Sequence, residues 1–125
     1  MPTHQEIEKV VAAYVETFEK GDPEIAVSLY AEDANVQDPI GSETLQGLDA
    51  IRAFYTMAVG LKVKIKLHGP VRSSGNHAAF PFAIVRADEG YQFDVIDTFK
   101  FNEEGKIVEM RAYWSEANVR PLDPE

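Results

Sequence analysis

Residues 91–102 read Tyr-Gln-Phe-Asp-Val-Ile-Asp-Thr-Phe-Lys-Phe-Asn, and the alternation in this stretch decides the class of fold. Tyr91, Phe93, Val95, Asp97, Phe99 and Phe101 fall on one side, with Gln92, Asp94, Ile96, Thr98, Lys100 and Asn102 on the other. A period of two with one apolar row describes a strand that is buried on one face and wet on the other. The flanking segments, 78–86 and 106–115, predict two more long strands, joined to it through the glycine-containing turns Asp88-Glu89-Gly90 and Glu103-Glu104-Gly105. These three form an antiparallel meander. Ahead of them, Leu61, Val63, Ile65 and Leu67 alternate with Lys62, Lys64 and Lys66, predicting a further strand with a solvated lysine face.

Toward the N-terminus the period changes to that of helices. Ile7, Val10, Val11, Tyr14, Val15 and Phe18 recur at helical spacing, Thr3 and Glu6 form a capping box, and Gly21 supplies the stop. Asp22 as N-cap and Pro23 as first residue open a second helix, expected to run to about Tyr30. An extended piece over 34–38 is stopped by Pro39 and Gly41, with 44–46 placed to pair with it. Gly47 then precedes a helix with Ile51, Phe54, Tyr55 and Ala58 on one side, expected to stop at Gly60. Helices first and long antiparallel strands afterwards imply an α+β domain in which helices cover one face of a curved sheet. The expectation is one domain over 1–125, with a loose tail from Val119, where Pro121 and Pro124 interrupt a stretch without periodicity.

Composition narrows the partners. With 125 residues, 45% hydrophobic and 26% charged, the chain falls in the ordinary globular class. A net charge of −9 repels phosphate backbones and anionic lipid headgroups, so nucleic acid and membrane surfaces are poor partners, whereas small apolar ligands remain open. The absence of cysteine removes disulfides and thiolate chemistry. The first residues, MPTHQEIEKV, lack the apolar run of a signal peptide, which predicts a cytoplasmic protein. His4, His68 and His77 stand apart from one another at no ligand spacing, so no metal site is expected, and nucleophile elbows and glycine-rich phosphate loops are lacking.

Two residue types, aspartate and tyrosine, carry candidate chemistry. Asp97 interrupts an apolar row, and an ionised carboxylate among aromatics is expensive, so the group either meets a cation, Arg111 on the next strand being the nearest candidate, or stays protonated as a hydrogen-bond donor. A bulge between Tyr91 and Asp97 would instead turn it to solvent. Tyr14, Tyr30 and Tyr55 each fall on the inner side of a different predicted helix. Singly they read as core tyrosines, yet their hydroxyls could converge on one cavity and share protons with a donor at its floor. Asp38, before Pro39, reads as ordinary turn chemistry, or as a carboxylate base at a pocket mouth. Trp114 and Phe82 read as walls.

Assembled in this way, the chain resembles the ketosteroid isomerases (steroid Δ5-isomerases) of the nuclear-transport-factor-2-like (NTF2-like) superfamily. The resemblance is carried by Ala13-Tyr14-Val15, by Tyr30-Ala31-Glu32-Asp33-Ala34 with Val36-Gln37-Asp38-Pro39-Ile40-Gly41, by Ala53-Phe54-Tyr55, by Asp94-Val95-Ile96-Asp97 and by Ala112-Tyr113-Trp114-Ser115-Glu116. It implies a conical pocket between helices and sheet, Asp38 as general base, and Tyr14 with protonated Asp97 as donors to the oxygen of a dienolate. Tyr30 and Tyr55 would support them, with Tyr55 donating to Tyr14. Phe54, Phe82, Phe99 and Trp114 would line the site of a 3-oxosteroid, with no cofactor and a homodimeric assembly. Gln37 stands where many relatives carry an acidic residue. The same scaffold hosts dehydratases, cyclases and non-catalytic binders of sterol-like molecules, which are the alternatives.

Overall fold

The computed structural model describes residues 1–124. Helix α1 (His4–Lys20) opens on the expected capping box of Thr3 and Glu6 and closes at Gly21, whose φ of 64° is the left-handed conformation that favours glycine. Helix α2 (Pro23–Val27) is capped by Asp22 and stops short of the expected Tyr30. Tyr30 instead begins strand β1 (Tyr30–Gln37), where it pairs in parallel with Ile107, and the Ile107 amide donates to the Leu29 carbonyl. Long-range pairing here overrides a local helical preference.

Strand β2 (Leu45–Gln46) pairs with β1, and helix α3 (Leu48–Gly60) follows Gly47. The next strand, β3, covers only Lys64–Leu67. Lys62 adopts a left-handed φ of 54° just before it, which breaks the alternation inferred from Leu61 onward and leaves Leu61 and Leu67 exposed while Val63 is buried. The meander appears as expected in β5 (His77–Arg86), β6 (Tyr91–Phe101) and β7 (Ile107–Tyr113), with a short β4 (Arg72–Ser74) folded back on β5.

The sheet order is β2-β1-β7-β6-β5-β3, with β8 (Val119–Pro121) added beside β6. Only the β1–β7 pairing is parallel among these, so the sheet is mixed. Pairing between β5 and β6 runs without a shift from His77–Lys100 to Arg86–Tyr91, so no bulge displaces Asp97, which is 1% exposed and lies opposite Phe80. Ile7, Val11 and Tyr14 of α1 and Ile51 and Tyr55 of α3 are buried together with Phe80, Phe99 and Phe101 of the sheet, so the helices cover the row that bears Asp97. Each such large apolar side chain stabilises the fold by roughly 1.5–3 kcal/mol relative to exposure. No helix among the described residues is long and apolar enough to cross a membrane.

The tail departs from expectation. After a 3-10 turn at Glu116–Asn118, β8 pairs Val119 with Phe93 and Pro121 with Tyr91. Arg120 holds it with a two-pronged contact to Asp94, at 2.8 and 3.2 Å, and with a close ion pair to Asp123, whose carboxyl that guanidinium pulls down to about 2. Gln92, buried on the outer side of β6, accepts from the Asp123 amide at 2.7 Å. Proline and lack of periodicity concealed a strand that pairs with β6 and is tied down by these side chains. Arg120→Ala should therefore accelerate hydrogen exchange at the amides of 119–120, read by mass spectrometry, while the β5–β6 pairing stays protected; unchanged exchange there would mean that the ion pairs do not tie the tail.

Candidate active site

Between the helices and the inner face of the sheet lies a cavity of about 350 Å³, in the range of small-molecule sites. Its walls are predominantly apolar, with Phe18, Phe54, Phe82, Phe93, Val95 and Trp114 among them, and Tyr14, Asp38 and Asp97 bring oxygen atoms to its surface. The expected trio of Tyr14, Asp38 and Asp97 thus comes together from α1, the end of β1 and the middle of β6.

The expected lining at Phe99 is corrected by the structure, since Phe99 does not reach the cavity, and the expected supporting residues Tyr30 and Tyr55 do not reach it either. Tyr30 and Tyr55 are buried behind Tyr14 and form a line of hydroxyls, Tyr30 to Tyr55 at 2.6 Å and Tyr55 donating to Tyr14 at 3.3 Å. Because Tyr14 accepts from Tyr55, its own proton is free to point elsewhere. Phe99 sits beneath Tyr14, edge-on at 5.4 Å between ring centroids, because α1 lies across that end of β6. Burial pushes all three tyrosines well above the ordinary phenolic range, so each remains a neutral hydroxyl.

Asp97 has no ion pair. Arg111 lies opposite Thr98 on the outer face, where its guanidinium donates to the Met110 carbonyl at 2.8 Å and approaches Glu109 at 3.5 Å. Both carboxyl oxygens of Asp97 are buried without a hydrogen-bond partner among the described residues. Burial pushes this carboxyl well above the ordinary range and the charge of Asp38 pushes it further, against a smaller opposing pull from the Tyr14 hydroxyl, which favours the protonated form with a donor to offer the cavity.

Asp38 lives under different conditions. Its Oδ1 accepts from the Trp114 indole N–H at 2.8 Å, so Trp114 is a partner of the carboxylate as well as a wall. Burial raises its pKa, whereas the indole bond lowers it. The loop beyond, entered through a cis Asp38–Pro39 bond, is pinned by Ile40 to the Ala112 carbonyl at 2.9 Å and by Ser42, through amide and hydroxyl, to the Pro39 carbonyl. Gln37 donates to the Ser42 carbonyl at 2.9 Å and so braces the loop that carries Asp38.

The sequence reading passed over Arg86, which lines the same cavity with Tyr91. Alternation on β5, as on β6, would have found it: Phe80, Phe82, Ile84 and Arg86 share the inner face. Among the described residues, no three His, Cys, Asp or Glu side chains converge as metal ligands would.

The SnoaL-like domain family matches residues 11–110 of this chain. The chain belongs to the SnoaL-like family. Its mixed sheet and three helices are the α+β architecture of the NTF2-like fold. The chain is 35% identical over 116 residues to the steroid Δ-isomerase of Nocardioides simplex, spanning 91% of this chain and 94% of that enzyme. It is 31% identical over 130 residues to the epoxide hydrolase LasB of Streptomyces lasalocidi, spanning 83% of this chain but 45% of that protein. A solved structure of SalBIII, described as an epoxide hydrolase/cyclase-like enzyme in pyran ring formation in the polyether salinomycin, matches with a TM-score of 0.87 at 25% identity, over 98% of this chain and 100% of that one.

The SnoaL-like core carries a signature in stability. Asp97 keeps its proton in the folded state above the ordinary value of 3.8, where the unfolded chain has already released it. Its contribution to stability is therefore full below that value and declines as pH rises toward the folded pKa. Against Asp97→Asn, which is uncharged throughout, the wild type should lose about 1 kcal/mol per pH unit above pH ~4 in denaturant unfolding. Parallel pH curves for the two proteins would mean that Asp97 ionises normally.

Proposed function

We propose that this protein is a steroid Δ-isomerase, moving the double bond of a 3-oxo-Δ5-steroid into conjugation with the ketone by intramolecular proton transfer. The observation that carries the reading is the meeting, in one apolar cavity, of two neutral donors, Tyr14 and an unpartnered Asp97, with a separate ionisable carboxyl, Asp38. Homology to a steroid Δ-isomerase over nearly the whole chain supports it.

In this reaction the Asp38 carboxylate removes a proton from the carbon between the ketone and the double bond. The electron pair of the broken C–H bond moves into a dienolate, and negative charge collects on the ketone oxygen. Tyr14 and Asp97 donate hydrogen bonds to that oxygen from fixed positions in a water-poor site, so little reorganisation accompanies the charge. Asp38, now a carboxylic acid, returns the proton two carbons away. The carbonyl re-forms and no net proton is gained or lost. Trp114 and the pinned loop keep Asp38 beside the substrate, and its moderately raised pKa strengthens it as a base. Tyr55, donating to Tyr14, favours the rotamer in which the Tyr14 proton faces the oxygen.

A second reading has one observation in its favour: the cavity holds a carboxyl of each kind, an acid at Asp97 and a base at Asp38. That pair could protonate an epoxide oxygen while activating a hydroxyl or water, the class of reaction named for LasB and SalBIII.

We also propose that two copies pair through the outer face of the sheet, where Ile96 and its cross-strand neighbour Tyr113 are about half exposed. Ile96→Glu should then shift sedimentation from dimer toward monomer; a wild-type monomer at micromolar concentration would remove the proposal.

The isomerase reading predicts growth of conjugated-enone absorbance from a 3-oxo-Δ5-steroid. Asp38→Asn should lower kcat by about 10²–10⁴-fold. Asp97→Leu should cost about 10²–10³-fold, and Asp97→Asn, which keeps a donor, distinctly less. The rate should rise with pH through an ionisation above 3.8, as the Asp38 shift requires, and then level off. Absence of turnover, or full activity in Asp38→Asn, would sink the isomerase, and opening of an epoxide substrate by the same preparation would favour the second reading.

A further inference from the structure

Arg86 is the one cation among the cavity's lining residues. It stands at the last position of β5, at the end of an inward row that begins at Phe80, the partner of Asp97. From Phe80 to Arg86 the strand advances about 20 Å. Arg86 and its partner Tyr91 therefore mark the end of the cavity remote from Asp97, with the apolar pairs Phe82–Val95 and Ile84–Phe93 between them.

The guanidinium keeps a donor unused. Its side chain is only 16% exposed, and the Nε atom is buried with no hydrogen-bond partner among the described residues. Asp88 and Glu89, on the exposed turn beyond the strand, form ion pairs with it at 3.7 and 3.5 Å but no hydrogen bond. Tyr91 offers the face of its ring at 5.9 Å.

We propose that Arg86 is a specificity-determining residue that binds a carboxylate at the end of the substrate opposite the ketone. The inference rests on the isomerase reading for the orientation of the ligand, and it narrows the substrate class to 3-oxosteroids bearing an acidic side chain. A ligand filling the cavity strips the remaining water from the guanidinium; a hydrocarbon end would leave the buried Nε without an acceptor, and a neutral ester offers a weaker acceptor than a carboxylate. A carboxylate matches the planar fork of donors and removes the penalty. Orientation follows from the same charges: Asp38 repels an acidic end, so the carboxylate turns toward Arg86 and the ketone toward Tyr14 and Asp97. The apolar stretch between accepts the ring skeleton.

The test compares a 3-oxosteroid carrying a carboxyl-ended side chain with its methyl ester. Trp114, the only tryptophan, lines the cavity, so its fluorescence reads binding independently of turnover. The acid should bind at least about ten-fold more tightly than the ester, with the advantage shrinking as salt is added. Arg86→Gln should bring the ratio to about one. Arg86→Lys, which keeps the charge without the fork, should give an intermediate ratio, and Arg72→Gln, on β4 outside the cavity, should retain the wild-type ratio. Equal affinities in the wild type, binding of neither probe, or an unchanged ratio in both Arg86 variants would overturn the inference. Turnover of a Δ5 form of the ester bears on the isomerase reading alone: acid preference without turnover would leave the carboxylate subsite standing, and turnover without acid preference would leave only the isomerase.

Discussion

Placing the Asp97 carboxyl on the inner face of β6, with Val95 and Phe99 on either side of it in the buried row, forces a choice between a counter-ion and a retained proton. Among the described residues no cation pairs with it, and burial favours its neutral form. Much of the architecture depends on that outcome. An uninterrupted β5–β6 register keeps the residue facing inward, and α1 and α3 seal the floor against water. Loosening either would let the carboxyl ionise and would abolish its value as a donor.

The tyrosines extend the same constraint. Tyr30, Tyr55 and Tyr14 pass hydrogen bonds in one line, and burial keeps them neutral; of these three only Tyr14 lines the cavity. Asp38 escapes the extreme because an indole N–H and a braced loop hold it at the wall, where the carboxylate is partly compensated. Two aspartates therefore titrate apart in one cavity: Asp38 loses its proton first, and its charge helps Asp97 to keep one. The proposed enolisation draws on this division of labour, and so does the alternative reading of epoxide opening. At the opposite end, Arg86 offers a charge whose partners in the chain are weak, and that asymmetry gives the cavity a direction.

Capping chemistry and alternation made several elements legible before any tertiary information. The Thr3–Glu6 box, the Asp22-Pro23 start and the β5–β7 meander all stand where local rules placed them, because each depends on near neighbours. Elements that depend on distant partners were misread. Tyr30 joins β1 through Ile107, Lys62 turns the chain before β3, and the tail becomes a strand because Asp94 and Gln92 hold it. Among the site residues, Asp97 was legible as an interruption of an apolar row, whereas the true depth of Tyr30, Tyr55 and Phe99 depends on how far α1 reaches across the sheet.

By itself, the sequence determined the class of fold, the inward position of Asp97 and the set of polar groups available to a cavity, since period, caps and turns are properties of short segments. Whether Asp97 met Arg111 or stayed neutral was a tertiary decision. Both arginine and neutral donor were compatible with the same alternation, and only the pairing of Arg111 with Thr98 on the outer face left the carboxyl without a cation. The tertiary structure alone also set Arg86 at the far end of that cavity, because the distance between two charges on a folded sheet is fixed by register and not by separation along the chain.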